Sequence, residues 1–212
     1  MTSEPHPELQ HLAAADPVMS ALIEKWGPLR LTATTDYFFT LLDAIASQQL
    51  SSKAATTIVG RIRALVPGED APTPEAILAV PDEALRAAGL SWGKVSYLKD
   101  LATRATSGAL DLAHIAQMED EEIIKELIAV KGIGRWTAEM FLIFSLARAD
   151  VFAVDDYGIR VAMMRLYNMP ELPKPAAMRP IAEAWRPYRS YASLYLWRSH
   201  DNSPKVEALG AP

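Results

Sequence analysis

Apolar residues recur along this chain at helical spacing. Phe38, Leu41, Leu42 and Ile45 stand at i, i+3, i+4 and i+7, and Ala55, Ile58, Val59, Ile62 and Leu65 repeat the pattern one element later. Each set falls on one face of a helix of 3.6 residues per turn. Thr73-Pro74 and Asp111 carry helix-start chemistry, and Gly89 and Gly108 helix-stop chemistry. In "EDEEIIKELIAV" the acids occupy the first turn, where the helix dipole favours them, and the apolar residues share one face behind. "PKPAAMRPIAEAW" and "RPYRSYASLYLW" each place a proline near a helix start. Alternating strand patterns are nearly absent, "RLTAT" being the one short candidate. The pattern predicts an all-α chain of roughly ten short helices.

No shift in composition divides the chain. "VPGEDAPTP" and "NMPELPKP" read as surface loops too short to link domains, and the last dozen residues, "DNSPKVEALGAP", as a frayed end. A chain of 212 residues can bury one substantial core or two small lobes that share one. Half of the residues are apolar, yet no apolar run approaches the length of a membrane span. The polar start "MTSEPHPELQ" lacks a signal-peptide core, so an unprocessed, cytoplasmic protein without a membrane partner is expected.

Two further features narrow the chemistry. There is no cysteine, which excludes disulfides, thiolate zinc sites and iron–sulfur clusters. His6, His11, His114 and His200 show no metal-ligand spacing. The net charge of −5 argues mildly against a nucleic-acid partner, but the charge is uneven. From Tyr157 to His200 the chain carries Arg160, Arg165, Lys174, Arg179, Arg186, Arg189 and Arg198 against Glu171 and Glu183 alone. Such asymmetry is either ordinary solvated surface or a face for polyanions.

The stretch "IAVKGIGRWTAEMFLIF", Ile128 to Phe144, sets two glycines between two helical patterns. A helix ending near Val130 and another starting near Arg135 leave about four residues for the reversal. Glycines there can take positive φ and admit a foreign backbone with no Cβ in the way. The first amides of the second helix are unsatisfied donors at a positive dipole end, which makes an anion seat flanked by Lys131 and Arg135. The alternative is a tight connection that needs glycine for its turn alone.

"ELIAVKGIGRWTAEMFLIF" resembles the helix-hairpin-helix signature L-x-x-(L/V)-x-G-(I/V)-G-x-x-T-A, whose amides grip a DNA phosphate. "DVFAVDDYGIR" resembles the catalytic aspartate segment of the helix-hairpin-helix DNA glycosylase superfamily. "DPVMSALIEKWGPLRL", "AIASQQLSSKAA", "GRWTAEM" and "AWRPYRSYASLYLW" extend the resemblance to its 3-methyladenine DNA glycosylase II (AlkA-like) branch, in family order over almost the whole chain. The resemblance implies an all-α, two-lobed fold with the active site in the cleft between lobes. Residues 40–150 would form the hairpin lobe, and 1–39 with 151–212 the other. Longer relatives carry an additional N-terminal β domain, for which this chain has no room.

The same resemblance assigns roles. Lys131, Gly132, Gly134, Arg135 and Thr137 would contact DNA at the hairpin, and backbone carbonyls of Val130 and Ile133 would hold a structural monovalent cation. No cofactor or iron–sulfur cluster is required. An enzyme acting on a stacked base must rotate it out and fill the gap; "SQQLSS" maps the filling wedge to Leu50, with Gln49 beside it. Alkylation at purine N3 or N7 makes the base cationic and a good leaving group. Aromatic walls then attract it by cation–π interaction of about 0.5–2 kcal/mol per contact. Trp136, Tyr157 and Trp197 match the family's pocket aromatics, and Met140 stands where bacterial relatives usually place tyrosine.

Alignment on Ile159 and Arg160 makes Asp156 the catalytic aspartate, countering the sugar's oxocarbenium charge and orienting or deprotonating water, and leaves Asp155 as a helix cap or structural residue. Bifunctional relatives place a Schiff-base lysine where this chain has Trp136, so hydrolysis should stop at an abasic site. The expected protein is a monomeric, monofunctional glycosylase of base excision repair, nucleoid-associated in a prokaryote. Its partner would be double-stranded DNA bearing alkylated bases of the 3-methyladenine or 7-methylguanine type. Rival readings are a glycosylase for uracil or an oxidised base, a non-catalytic hairpin module, and an unrelated helical scaffold.

Overall fold

The computed structural model describes residues 6–66, 68 and 71–200. The expected frayed end at 201–212, the first five residues and part of the "VPGEDAPTP" loop lie outside the described residues. In chain order the α-helices are α1 (Pro7–Ala15), α2 (Pro17–Trp26), α3 (Tyr37–Ser47), α4 (Ser52–Ala64), α5 (Pro74–Ala79), α6 (Asp82–Ala87), α7 (Trp92–Ser107), α8 (Asp120–Ile128), α9 (Arg135–Phe144), α10 (Tyr157–Leu166), α11 (Pro175–Glu183) and α12 (Arg189–Ser199). No strand occurs among the described residues, and "RLTAT" is irregular. None of the described helices is long and apolar enough to cross a membrane.

Local chemistry explains most boundaries. Ser51, Thr73 and Ser91 each turn a hydroxyl onto an amide of the helix they precede, Ala54, Ala76 and Lys94 respectively. Glu122 Oε2 accepts the Glu119 N–H at 3.2 Å, closing a capping box at the start of α8. Gly108 ends α7 in the left-handed conformation, φ +75°, and Gly89 follows α6 at φ +117°. Asp111 departs from expectation. Its Oδ1 accepts from the amides of Ala113 and His114, and its Oδ2 bonds the His114 ring, so it builds a turn into a short 3-10 segment, Ile115–Gln117. The Asp111 side chain bonds the nearby amides itself and so competes with an α-helical start.

The chain folds as two compact units, residues 34–141 and residues 1–33 with 142–212. In the middle unit α7 packs with α3, α5 and α6. Leu41, Leu42, Ile45, Ile62, Leu98, Leu101 and Leu127 are fully buried there. In the terminal unit α12 is buried on every side from Ala192 to Trp197, as a helix at the centre of a core must be. Its Tyr195 hydroxyl donates to Gly27 O at 2.8 Å and accepts the Leu29 N–H at 3.2 Å. Buried Asp16 takes the Val18 N–H at 2.8 Å, the Tyr167 hydroxyl at 2.6 Å and the Trp185 indole N–H at 2.8 Å. One carboxylate thus ties the beginning of the chain to its last third.

Candidate functional site

The hairpin between α8 and α9 is closed by Ile133 N–H donating to Val130 O at 3.1 Å. Its two glycines differ. Gly132 has φ +83°, and a Cβ there would stand 2.2 Å from the Tyr97 ring on α7. The protein's own packing therefore demands glycine at 132. At Gly134 a Cβ would meet nothing within 4 Å, so that face of the turn is open. Gly134 O accepts the Ala138 N–H at 3.0 Å and begins α9, whose first amides point out of the helix. The Lys131 amide donates to Asp100 Oδ2 at 2.9 Å, and Arg104 reaches the same oxygen at 3.0 Å. Burial pushes the Asp100 carboxyl up, but these donors and charges outweigh it and hold it below the ordinary value.

Arg135 is already engaged. Its guanidinium meets Glu121 at 2.5 and 3.2 Å and Glu139 at 3.1 Å. Two carboxylates hold the fork and join α8 to α9. Val130 and Ile133 bury their side chains, and Val130 O keeps a second lone pair beyond its turn hydrogen bond. Neutral backbone oxygens of this kind fit a hard monovalent cation. Among the described residues no cluster of His, Asp or Glu fits a transition metal.

Between α3 and α4, Gln49 adopts φ +57° and Leu50 is 39% exposed. Gln48 Nε2 donates to Gly132 O at 2.9 Å, which brings this turn to the hairpin. Farther along, Trp136 is 48% exposed in the first turn of α9, with half-buried Met140 four residues on.

In the terminal unit Asp156, 8% exposed, precedes the first residue of α10 and its Oδ1 accepts the Ile159 N–H at 2.8 Å. The same oxygen accepts the Trp197 indole N–H at 2.9 Å. A Cβ on Gly158 would stand 3.2 Å from Asp156 Oδ1 and 3.3 Å from Trp197 Cδ1, so glycine there leaves room for the indole. Asp155 is exposed and the cap is Asp156, which corrects the expectation of a cap at Asp155. The reason is positional: only Asp156 sits one residue before the helix. Tyr157 is 65% exposed, whereas Trp197 is 1% exposed and packs against Phe144 with centroids 5.4 Å apart. Trp197 is thus a buried donor to the carboxylate and not an open aromatic wall.

The model of the HhH-GPD superfamily of base excision DNA repair proteins matches residues 42–187, more than half of the chain. The chain belongs to this superfamily. This HhH-GPD protein is 37% identical over 193 residues to DNA-3-methyladenine glycosylase 1 of Schizosaccharomyces pombe, covering 89% of this chain and 85% of that one. It is 34% identical to DNA-3-methyladenine glycosylase 2 of Escherichia coli, over 83% of this chain and 62% of that one. Among solved structures, a DNA-3-methyladenine glycosidase from Bacillus halodurans superposes with a TM-score of 0.85 at 39% identity, over 92% of this chain and 90% of that one. The S. pombe 3-methyladenine DNA glycosylase in complex with abasic DNA gives 0.80 at 36% identity, over 91% and 96%.

The C-terminal basic run of this HhH-GPD protein is partly spent on itself. Arg186 and Arg189 both grip Asp150, at 2.7 and 2.6 Å, and Arg160 donates to Pro173 O at 3.0 Å. Gln48, Lys94, Tyr97 and Glu121 escaped sequence reasoning. Each is common at helix surfaces, and each contact that matters is made to a residue far away in the chain.

Proposed function

We propose that this chain is a monofunctional DNA glycosylase that hydrolyses the N-glycosidic bond of alkylated bases in duplex DNA, of the 3-methyladenine and 7-methylguanine kind. The observation that carries the reading is Asp156: a nearly buried carboxylate at the start of α10, oriented through Oδ1 by one backbone amide and one indole. A carboxylate so held is a fixed counter-charge for the oxocarbenium that develops as the base leaves. The C1′–N bond breaks with its electron pair going to the cationic base, which departs neutral. Water forms the new C1′–O bond and gives its proton to Asp156 or to solvent. The exposed ring of Tyr157, next to Asp156 in the chain, supplies an electron-rich face for the cationic base. Tryptophan at 136 offers no amine, so no Schiff base forms and the product is an abasic site.

Gly134 and the first amides of α9 are the seat for a DNA phosphate, with Lys131 and Thr137 beside it, and Leu50 with Gln49 enters the vacated stack. A monovalent cation on the carbonyls of Val130 and Ile133 would reinforce the turn and supply no step of the chemistry. The protein acts as a monomer on chromosomal DNA in the cytoplasm. Single-turnover base release from duplexes with one defined lesion each tests the reading. Asp156→Asn keeps an acceptor for both N–H groups and a good cap, yet should cost at least ~3 kcal/mol, more than about a hundredfold in rate. Asp155→Asn should be far milder. Parent rates in both variants would refute the mechanism, and a reversed ranking would move the chemistry to Asp155.

A further inference from the structure

The turn from α3 to α4 is held in a conformation it would not keep alone. Gln49 is not glycine, yet it stands at φ +57°, and strain of this kind persists only where the surroundings over-determine it. Three hydrogen bonds do so. Lys94 Nζ, from α7, donates to Ala46 O at 2.8 Å and to Gln48 O at 2.6 Å. These carbonyls close α3 at the negative end of its dipole, where a cation is favoured. The Gln48 side chain then donates to Gly132 O, 84 residues away, at 2.9 Å. One turn along α7 from Lys94, the Tyr97 ring packs against Gly132 itself. A single face of α7 therefore supports both the Leu50 turn and the hairpin glycine. Burial lowers the pKa of the Lys94 ammonium, a cost that a freely solvated lysine would not carry.

We propose that Gln48 and Lys94 are positioning residues that lock the Leu50 turn to the Gly132 hairpin, so that seating the hairpin on a phosphate sets the depth and register at which Leu50 enters the stack. The proposal rests on the reading of Leu50 as the residue that fills the vacated stack. Neither Gln48 nor Lys94 touches the base or the sugar in this scheme. Both act through the turn.

The experiment compares single-turnover release of one alkylated base from duplex and from single-stranded DNA by the full-length chain, with 2-aminopurine beside the lesion to report unstacking. Gln48→Met and Lys94→Met should each slow duplex excision about tenfold and delay the 2-aminopurine signal, since they free a strained turn. Single-strand excision should stay within about twofold, and combination with Leu50→Gly should add no further loss, as expected of residues acting through one element. Lys94→Arg should recover part of the rate. Equal losses on both substrates, or losses that multiply with Leu50→Gly, would overturn the lock while leaving the wedge in place. If Leu50→Gly itself shows no preference for duplex, the wedge reading falls and the lock falls with it. Gln48→Met removes a donor at the protein surface and serves as the deciding variant should Lys94→Met fail to fold.

Discussion

Asp156 does two jobs with one carboxylate. Its Oδ1 caps α10 through the Ile159 amide and takes the Trp197 indole N–H as well, so position and chemistry are set by the same atom. Trp197 is the residue to vary. Phenylalanine keeps a ring against Phe144 but removes the N–H. Trp197→Phe should lower stability by about 1.5–3 kcal/mol, the range for a hydrogen bond to a charged group. It should slow base excision about tenfold with unchanged affinity for DNA, because the carboxylate loses one of the groups that aim it. Urea unfolding and single-turnover kinetics on one lesion duplex read both effects. A loss of stability with the parent excision rate would make Trp197 a packing residue only.

The hairpin asks different things of its two glycines. At Gly132 both the backbone and the Tyr97 ring forbid a side chain, while at Gly134 nothing inside the protein objects. Gly132→Ala should therefore destabilise the fold by at least about 2 kcal/mol, from left-handed strain and the clash with Tyr97. Gly134→Val should change stability by no more than about 0.5 kcal/mol, as an open surface position allows. It should instead weaken binding to damaged and undamaged duplex alike, since a phosphate carries no lesion information. Thermal unfolding beside fluorescence-anisotropy titrations separates the two. A Gly134→Val defect confined to lesion duplex would contradict the phosphate seat.

For the whole molecule the telling feature is Asp16, which draws the first helices and the last third of the chain into one unit. Asp16→Ala would leave the part-buried Tyr167 hydroxyl and the buried Trp185 N–H without this acceptor, at a cost of at least about 2 kcal/mol. The network also gives the fold an alkaline limit. Burial, and then the neighbouring Asp16 carboxylate, push the Tyr167 phenol well above its ordinary 10.0. A folded-state pKa raised above the unfolded one gives stability that is complete below pH 10 and lost as the pH climbs beyond it. The parent protein should lose stability above about pH 10, where unfolded tyrosine ionises, and Tyr167→Phe should flatten that loss. Denaturant midpoints measured between neutral and alkaline pH would show it. A parallel pH dependence in Tyr167→Phe would place the sensitivity elsewhere.

Interactions that span three or four residues are written in the chain itself: the helical period, the capping hydroxyls, the helix-ending glycines and the near absence of strand patterning. Its Gly132-Ile133-Gly134 turn and Asp155-Asp156 pair were legible because backbone rules and family motifs are local too. In α2, too, Met19, Leu22, Ile23 and Trp26 stand at i, i+3, i+4 and i+7, behind the Asp16-Pro17 helix start. Packing in three dimensions settles which aspartate caps α10 and where the Trp197 indole points, and it sets Arg135, Arg186 and Arg189 on carboxylates. It alone separated the closed glycine from the open one and carried Gln48 to Gly132. The reason is reach. A hydrogen bond forms only at about 3 Å, so its partner is fixed by how distant elements pack, and periodicity along the chain carries no record of that.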